Sequence, residues 1–215
     1  MSEPAEGSLS AYLDRVAAAT PAPGGGSVAA VVGALAAALG EMVANLTLGR
    51  EQYAHAEASL QPARDRLTAL RASLLEGAAT DEAAYRSYRD AASLPRSSDA
   101  EKGARTDAMQ RALIAATDVP LGIARSAHEV AEILASVARD GNPHVRSDAA
   151  LGALLAEVAL RGALLNVRGN AAILKDRELA VTYLADADRL GETGCEAAQR
   201  AYRTAIGAAD DGGFR

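Results

Sequence analysis

The chain has 215 residues, 49% of them apolar, with one Phe and no Trp, so its core must come from Ala, Leu and Val, which favour closely packed helices. A formal net charge of −6 and the lack of any Lys/Arg cluster argue against nucleic acid as a partner. A single cysteine, Cys195, rules out an intrachain disulfide and suits a reducing compartment.

The opening, MSEPAEGSLS, is acidic and polar, unlike a signal peptide, and residues 1–8 read as a loose tail. A first helix is expected over Leu9–Ala19, stopping before Thr20-Pro21. TPAPGGGS (20–27) then leads into a second helix, Ser27 to Leu48. The apolar run Val28–Gly40 meets Glu41 and Asn45 short of the ~20 residues that cross a bilayer, so a soluble, cytoplasmic protein with no membrane partner is expected. A third helix runs from Glu51, disturbed at Pro62, to Ala92, and 93–98 is a loop. Ser98 or Asp99 caps the fourth helix, where Pro120 predicts a kink or a restart. Asp140-Gly141-Asn142-Pro143 breaks that helix. Ser147 is expected to cap a long helix to Leu174, and the last helix runs from Arg177 to Ala209 before a loose tail, 210–215. No stretch alternates with the period of a strand. The expected fold is all-α: an antiparallel bundle of five to six helices forming a single domain over 1–215.

On a helical wheel, the second helix divides into a large apolar face (Val28, Val32, Leu35, Leu39, Val43, Leu46) and a small-residue face (Ser27, Ala30, Ala34, Ala37, Glu41, Asn45). The alanine strip must meet something close: a helix, a second subunit or a flat ligand. The helix after Ser147 carries Glu157, Arg161 and Arg168 on one side and Asp148, Asn166 and Asn170 on roughly the opposite one, as if sandwiched between layers. Glu157 and Arg161 read as an i,i+4 ion pair, and Asp148 reads as a helix-start residue. Arg168, Asn166 and Asn170 stand where hydrophobes would cost less.

Gly24, Gly25, Gly26 and Ser27 leave backbone N–H groups free at a helix N-terminus, which can hold an anion or a carbonyl; without Gly-Lys-Ser/Thr this is no nucleotide P-loop. Asp81 and Tyr85, four apart, share a helix face. His55, His128 and His144 are isolated, so no metal site is expected.

Four segments, in order, carry a resemblance: TPAPGGGSVAAVVGALAAALGEMVANLT, DEAAYRSYRDAASLPR, ATDVPLGIA and GNPHVRSDAALGALLAEVALRGALLNVRGN. They resemble the cyclodeaminase/cyclohydrolase family, which includes the C-terminal domain of formiminotransferase-cyclodeaminase and stand-alone methenyltetrahydrofolate cyclohydrolases. The resemblance runs from about Leu9 to Leu174 and implies an all-helical homodimer with a folate site near the subunit interface. It implies Asp81 as the acid/base residue. It also implies no cofactor beyond the tetrahydrofolate derivative that is the substrate, and no metal. Tyr85 stands where Phe is usual, and Arg96 where Lys is usual. Arg keeps the charge but does not readily shuttle a proton. On this reading Gly24 to Ser27 cradle the ligand, and Asn45, Tyr85, Asp148, Asn166, Asn170, Arg168 and Arg96 are candidate folate contacts. The expected reaction is hydrolysis of the 5,10-methenyltetrahydrofolate ring, preferred because no fused formiminotransferase domain accompanies the chain. The alternatives are formimidoyltetrahydrofolate cyclodeamination with release of ammonia, and a non-catalytic folate-binding helical dimer.

Overall fold

The computed structural model describes residues 8–210, with side chains to residue 207. Among the described residues there are six α-helices and no strand. They are α1 (Leu9–Ala17), α2 (Gly25–Asn45), α3 (Glu57–Ala92), α4 (Asp99–Asp140), α5 (Arg146–Ala172) and α6 (Arg177–Asp210). Ser8 belongs to the fold: its hydroxyl accepts from the Ala11 N–H and caps α1. Asp210, the first residue of the expected second tail, ends α6, and the rest of both tails lies outside the described residues. Ser98 caps α4 in a full capping box with Glu101.

Several boundaries differ from the sequence reading. α2 begins at Gly25 rather than Ser27, because Gly24 takes the extended cap position. Glu51–Ala56 is a 3₁₀ turn, and α3 starts only at Glu57. α5 starts at Arg146, so Ser147 is inside the helix and Val145 takes the cap position. Pro62 does not divide α3, and Pro120 does not divide α4. A proline inside a helix removes one N–H from the ladder and frees the carbonyl four residues back. For Pro120 that carbonyl belongs to Ala116, and it finds another donor, described below.

Of the partners open to the alanine strip of α2, the structure supplies neighbouring helices. Ala29, Ala30, Gly33, Ala34, Ala36, Ala37, Gly40 and Ala44 are buried, with Val43 the one large side chain among them. Leu35 is 53% exposed, and Val28, Val32 and Leu39 are only partly covered. Small side chains let α2 lie close against α3, α4 and α5, the helices it packs on. α5 follows the same rule: Ala149, Ala153, Ala156, Ala159 and Ala163 are buried, while Leu151, Leu154, Val158 and Leu165 face out. α2 and α5 are each long and apolar enough to cross a membrane, by length and composition only. Here they are central helices of the bundle, α5 sandwiched between α2, α4 and α6. Glu157 and Arg161 form the expected ion pair.

The two helices run antiparallel, and a polar knot fixes one end. Asn142, buried, donates its N–H to Thr47 Oγ1 (2.8 Å) and its Nδ2 to the Leu46 carbonyl (3.3 Å). Its Oδ1 accepts from the Tyr53 hydroxyl and the His144 N–H, both at 3.0 Å. The opposite end, where α2 begins and α5 ends, is open.

Candidate functional site

At that open end lies a cavity of about 280 Å³. Its floor is the first turn of α2, Gly24 to Gly26, with Pro21 and Ala22 before it. α3 contributes Asp81, Tyr85 and Tyr88, α4 contributes Leu113 and Ala116, and α5 contributes Asn166 and Asn170. Ile173, just after α5, closes one wall.

The arrangement follows from unsatisfied helix-end groups. The first N–H groups of a helix have no partner within it. Ser27 N–H donates to Asp81 Oδ2 at 3.0 Å, so a carboxylate from α3 caps α2 in place of a side-chain cap. The N–H groups of Gly25 and Gly26 meet no acceptor among the described residues and face the same end. Gly26 must lack a side chain: a Cβ there would stand 2.2 Å from Asp81 Oδ1 and 2.6 Å from its Cγ. At Gly25 a Cβ would meet only Asn166 Nδ2, at 3.5 Å. At Gly24 a Cβ would stand 3.2 Å from the Pro21 carbonyl oxygen, so the need for glycine is strongest at Gly26 and least at Gly25.

Asp81 is half-buried, and burial pushes its pKa above the usual carboxylate value. The Ser27 N–H pulls the other way, and the charge of neighbouring Glu82 pushes it further up. A proton thus leaves Asp81 closer to neutral pH than from a solvated aspartate, the property a general acid/base needs.

The two α5 carboxamides are held by carbonyls. Asn166 Nδ2 donates to the Gly162 carbonyl at 3.0 Å. Asn170 Nδ2 donates at 2.7 Å to the Ala116 carbonyl, the one that Pro120 leaves free. Each amide oxygen is left without a donor among the described residues. Tyr85 accepts from Arg89 Nη1 at 3.3 Å.

The structure thus brings together Gly24, Gly25, Gly26, Ser27, Asp81, Tyr85, Asn166 and Asn170. It sets four other candidates apart. Asn45 ends α2, ~30 Å along the helix from Gly25, and Asp148 lies a similar distance along α5 from Asn166 and Asn170. Arg168 points toward α6, where Nη2 meets Asp188 Oδ1 at 2.9 Å beside a shallower groove. Arg96 is exposed in the loop after α3 and makes no hydrogen bond or ion pair with the described residues.

Three residues around Asp81 escaped the sequence reading: Tyr12, Arg15 and Glu82. The Tyr12 hydroxyl bonds Ser27 Oγ at 3.1 Å. Arg15 pairs with Glu82 Oε2. A signal for Glu82 existed, since Leu74, Ala78 and Glu82 continue one buried stripe at i,i+4 spacing. An acid in that stripe must be paired or functional. Among the described residues no three His, Cys, Asp or Glu side chains gather as a metal site would require.

Fold and cavity together define an all-helical domain that presents one half-buried carboxylate, two free helix amides and two oriented carboxamides to a small ligand. The chain belongs to the formiminotransferase-cyclodeaminase family, whose model matches residues 8–189. It is 40% identical over 196 residues to the methenyltetrahydrofolate cyclohydrolase of Methylorubrum extorquens, covering 91% of this chain and 94% of that protein. It is 36% identical over 171 residues to the rat formimidoyltransferase-cyclodeaminase, covering 80% of this chain but 31% of that longer protein. Its fold matches the crystal structure of a formiminotetrahydrofolate cyclodeaminase from Thermotoga maritima, with a TM-score of 0.85 and 29% identity over 95% of this chain and 98% of that one.

Proposed function

We propose that this chain is a single-domain methenyltetrahydrofolate cyclohydrolase, acting as a homodimer, with Asp81 as its acid/base residue. The observation that carries the reading is the Asp81 carboxylate, pinned to the first turn of α2 and open to the cavity. The near end-to-end likeness to a protein named for that reaction supports the choice.

The chemistry asks for a proton carrier and a rigid seat. Water attacks the bridging carbon of the methenyl cation, and Asp81 accepts its proton. The carbon–nitrogen bond on the N5 side then breaks, and Asp81 returns a proton to that nitrogen. The remaining hydroxyl loses its proton as the formyl group forms on N10. The ionised carboxylate also favours the cationic ring that enters. Free amides of Gly25 and Gly26 and the oxygens of Asn166 and Asn170 complement a polar heterocycle's acceptors and donors. The cavity is close to the lower end of ligand-pocket volumes, ~300–1,000 Å³, so it suits the pterin end of a folate. Arg96, in the loop beyond α3, suits the glutamate carboxylates outside it.

Cyclodeamination is the second reading, and the solved structure of similar fold carries that name. The two separate in one experiment. Purified protein given 5,10-methenyltetrahydrofolate should consume its absorbance, whereas formiminotetrahydrofolate should release no ammonia above background. Ammonia release at the faster rate would reverse the choice.

The outward face of α2 and α5 supports the dimer. Leu35 on α2 and Leu151, Leu154, Val158 and Leu165 on α5 are each 45% exposed or more, and the four on α5 share one helix face. Asn45 and Gly25 stand equally far from Leu35 along α2, and Asp148 and Asn170 equally far from Ala159 along α5. A two-fold axis through the middle of this face would therefore carry the partner subunit's Asn45 and the partner subunit's Asp148 toward the cavity end of the first. This reconciles their distance within one chain with a role in binding. Leu35→Glu combined with Val158→Glu should halve the mass measured by light scattering and leave the helical circular dichroism unchanged. A wild-type protein already of single-chain mass would refute the dimer.

A further inference from the structure

Helix α1 is short and mostly exposed, and Tyr12 is its one buried residue. Leu9 and Leu13 on it are 68% and 55% exposed. Hydrophobic burial therefore does little to hold α1 down. Two polar ties do, and both end beside Asp81. Tyr12 reaches Ser27, the residue whose N–H holds Asp81, and Arg15 reaches Glu82, the next residue along α3. Tyr12 and Arg15 are three apart and so share one face of α1.

Glu82 is 6% exposed and is the one buried charged residue among those described. Its Oε2 meets Arg15 and, at 3.7 Å, Arg86; its Oε1 is buried with no partner. A structural salt bridge in such a position should satisfy both oxygens. Here one oxygen of a buried carboxylate is left without a hydrogen-bond partner, next to the carboxylate that the cavity exposes.

We propose that Glu82, held by Arg15 from α1, is a positioning residue whose charge acts on Asp81, so that α1 belongs to the reaction machinery. The inference rests on the assignment of Asp81 made above. The titratable groups around Asp81 are few: Glu82 beside it on α3, Tyr12 on α1 and Tyr85 on the same cavity wall; Arg15 and Arg86 meet Glu82 rather than Asp81. α2 contributes backbone amides, and α4 and α5 contribute only uncharged side chains, Leu113, Ala116, Asn166 and Asn170. The negative charge of Glu82 makes a proton on Asp81 harder to lose; the positive charge of Arg15 opposes that. Breaking the pair from either side therefore has opposite consequences.

The test is the pH profile of kcat/KM for methenyltetrahydrofolate hydrolysis in wild type, E82Q, R15Q and the double variant, with thermal melting alongside. Asp81 works as a base, so the rate falls on the acid side as pH drops through its pKa. That limb should move to lower pH in E82Q, where the charges of Arg15 and Arg86 remain without the acid between them. It should move to higher pH in R15Q, where Glu82 keeps Arg86 as its one remaining ion-pair partner. The double variant should return toward wild type. A limb that stays fixed, or moves the same way in both single variants, overturns the inference, whatever the melting temperatures do. Since Arg15 is 44% exposed, R15Q alone still decides the matter if E82Q fails to fold. If Asp81→Asn retains the wild-type rate, the assignment of Asp81 fails and takes this inference with it. If Asp81→Asn is slow while the limbs do not move, only the inference about Glu82 fails.

Discussion

Asp81→Asn is expected to slow hydrolysis of 5,10-methenyltetrahydrofolate by about 10²–10⁴-fold, the range that a positioned acid/base group supplies. Asn matches the shape of Asp, and its Oδ1 can still accept from the Ser27 N–H. The variant loses proton transfer and charge but keeps the cap on α2. Stability should move the other way. Burial raises the pKa of Asp81 in the folded chain, so ionisation of that group costs folding free energy above the raised value. At neutral pH the wild type bears this cost and the amide does not. The melting temperature of Asp81→Asn should therefore equal or exceed that of wild type. A variant that melts lower and is inactive would point to structural damage instead.

Gly26→Ala is expected to cost activity on the order of 10²-fold without unfolding the protein. The new Cβ would overlap Asp81 Oδ1 at 2.2 Å, but what it meets is the free end of a side chain, which can swing aside. The fold escapes, and the carboxylate loses its place by about an ångström or more, a displacement that costs roughly this much rate. Ala has the better helix propensity, by ~1 kcal/mol, but the displaced carboxylate gives up the Ser27 N–H that it caps, a loss of about the same size, so the variant should melt close to wild type. Gly25→Ala is the control: its Cβ makes an ordinary contact with Asn166, and most of the rate should remain. Equal losses at both positions would mean that the glycines serve the turn as a whole, not the seating of Asp81.

Much of the helix plan was legible, since the 3.6-residue period runs through nearly the whole chain. Which face of α2 points inward was not. The wheel separates large from small residues, and hydrophobicity favours burying the large ones; yet α2 lies against three neighbours, and its buried face is mostly Gly and Ala, with Val43 the one large side chain. Leu35 is left outside, and Val28, Val32 and Leu39 are only partly covered. Asp81 stood out through its family motif, and its i,i+4 spacing to Tyr85 put both on one wall of the cavity. Asn170 was suspected from its cost, but its orientation depends on the Ala116 carbonyl that Pro120 frees, a pairing across two helices that no local pattern reveals. Asn45 and Asp148 are candidate folate contacts on the family resemblance alone, and their place on the wheel carries no information about position along the axis. Glu82 was missed because charged residues in helices are usually solvated, and only the Leu74–Ala78 stripe marked it as buried.

Everything proposed for Asp81 and its neighbours depends on this cavity opening the methenyl ring of a folate. The absorbance of 5,10-methenyltetrahydrofolate after addition of purified wild-type protein tests that, with 10-formyltetrahydrofolate identified as the product. Loss of the substrate should scale with protein concentration, run far faster than in buffer and be nearly abolished in Asp81→Asn. A wild-type rate equal to that of buffer would contradict the proposed function outright.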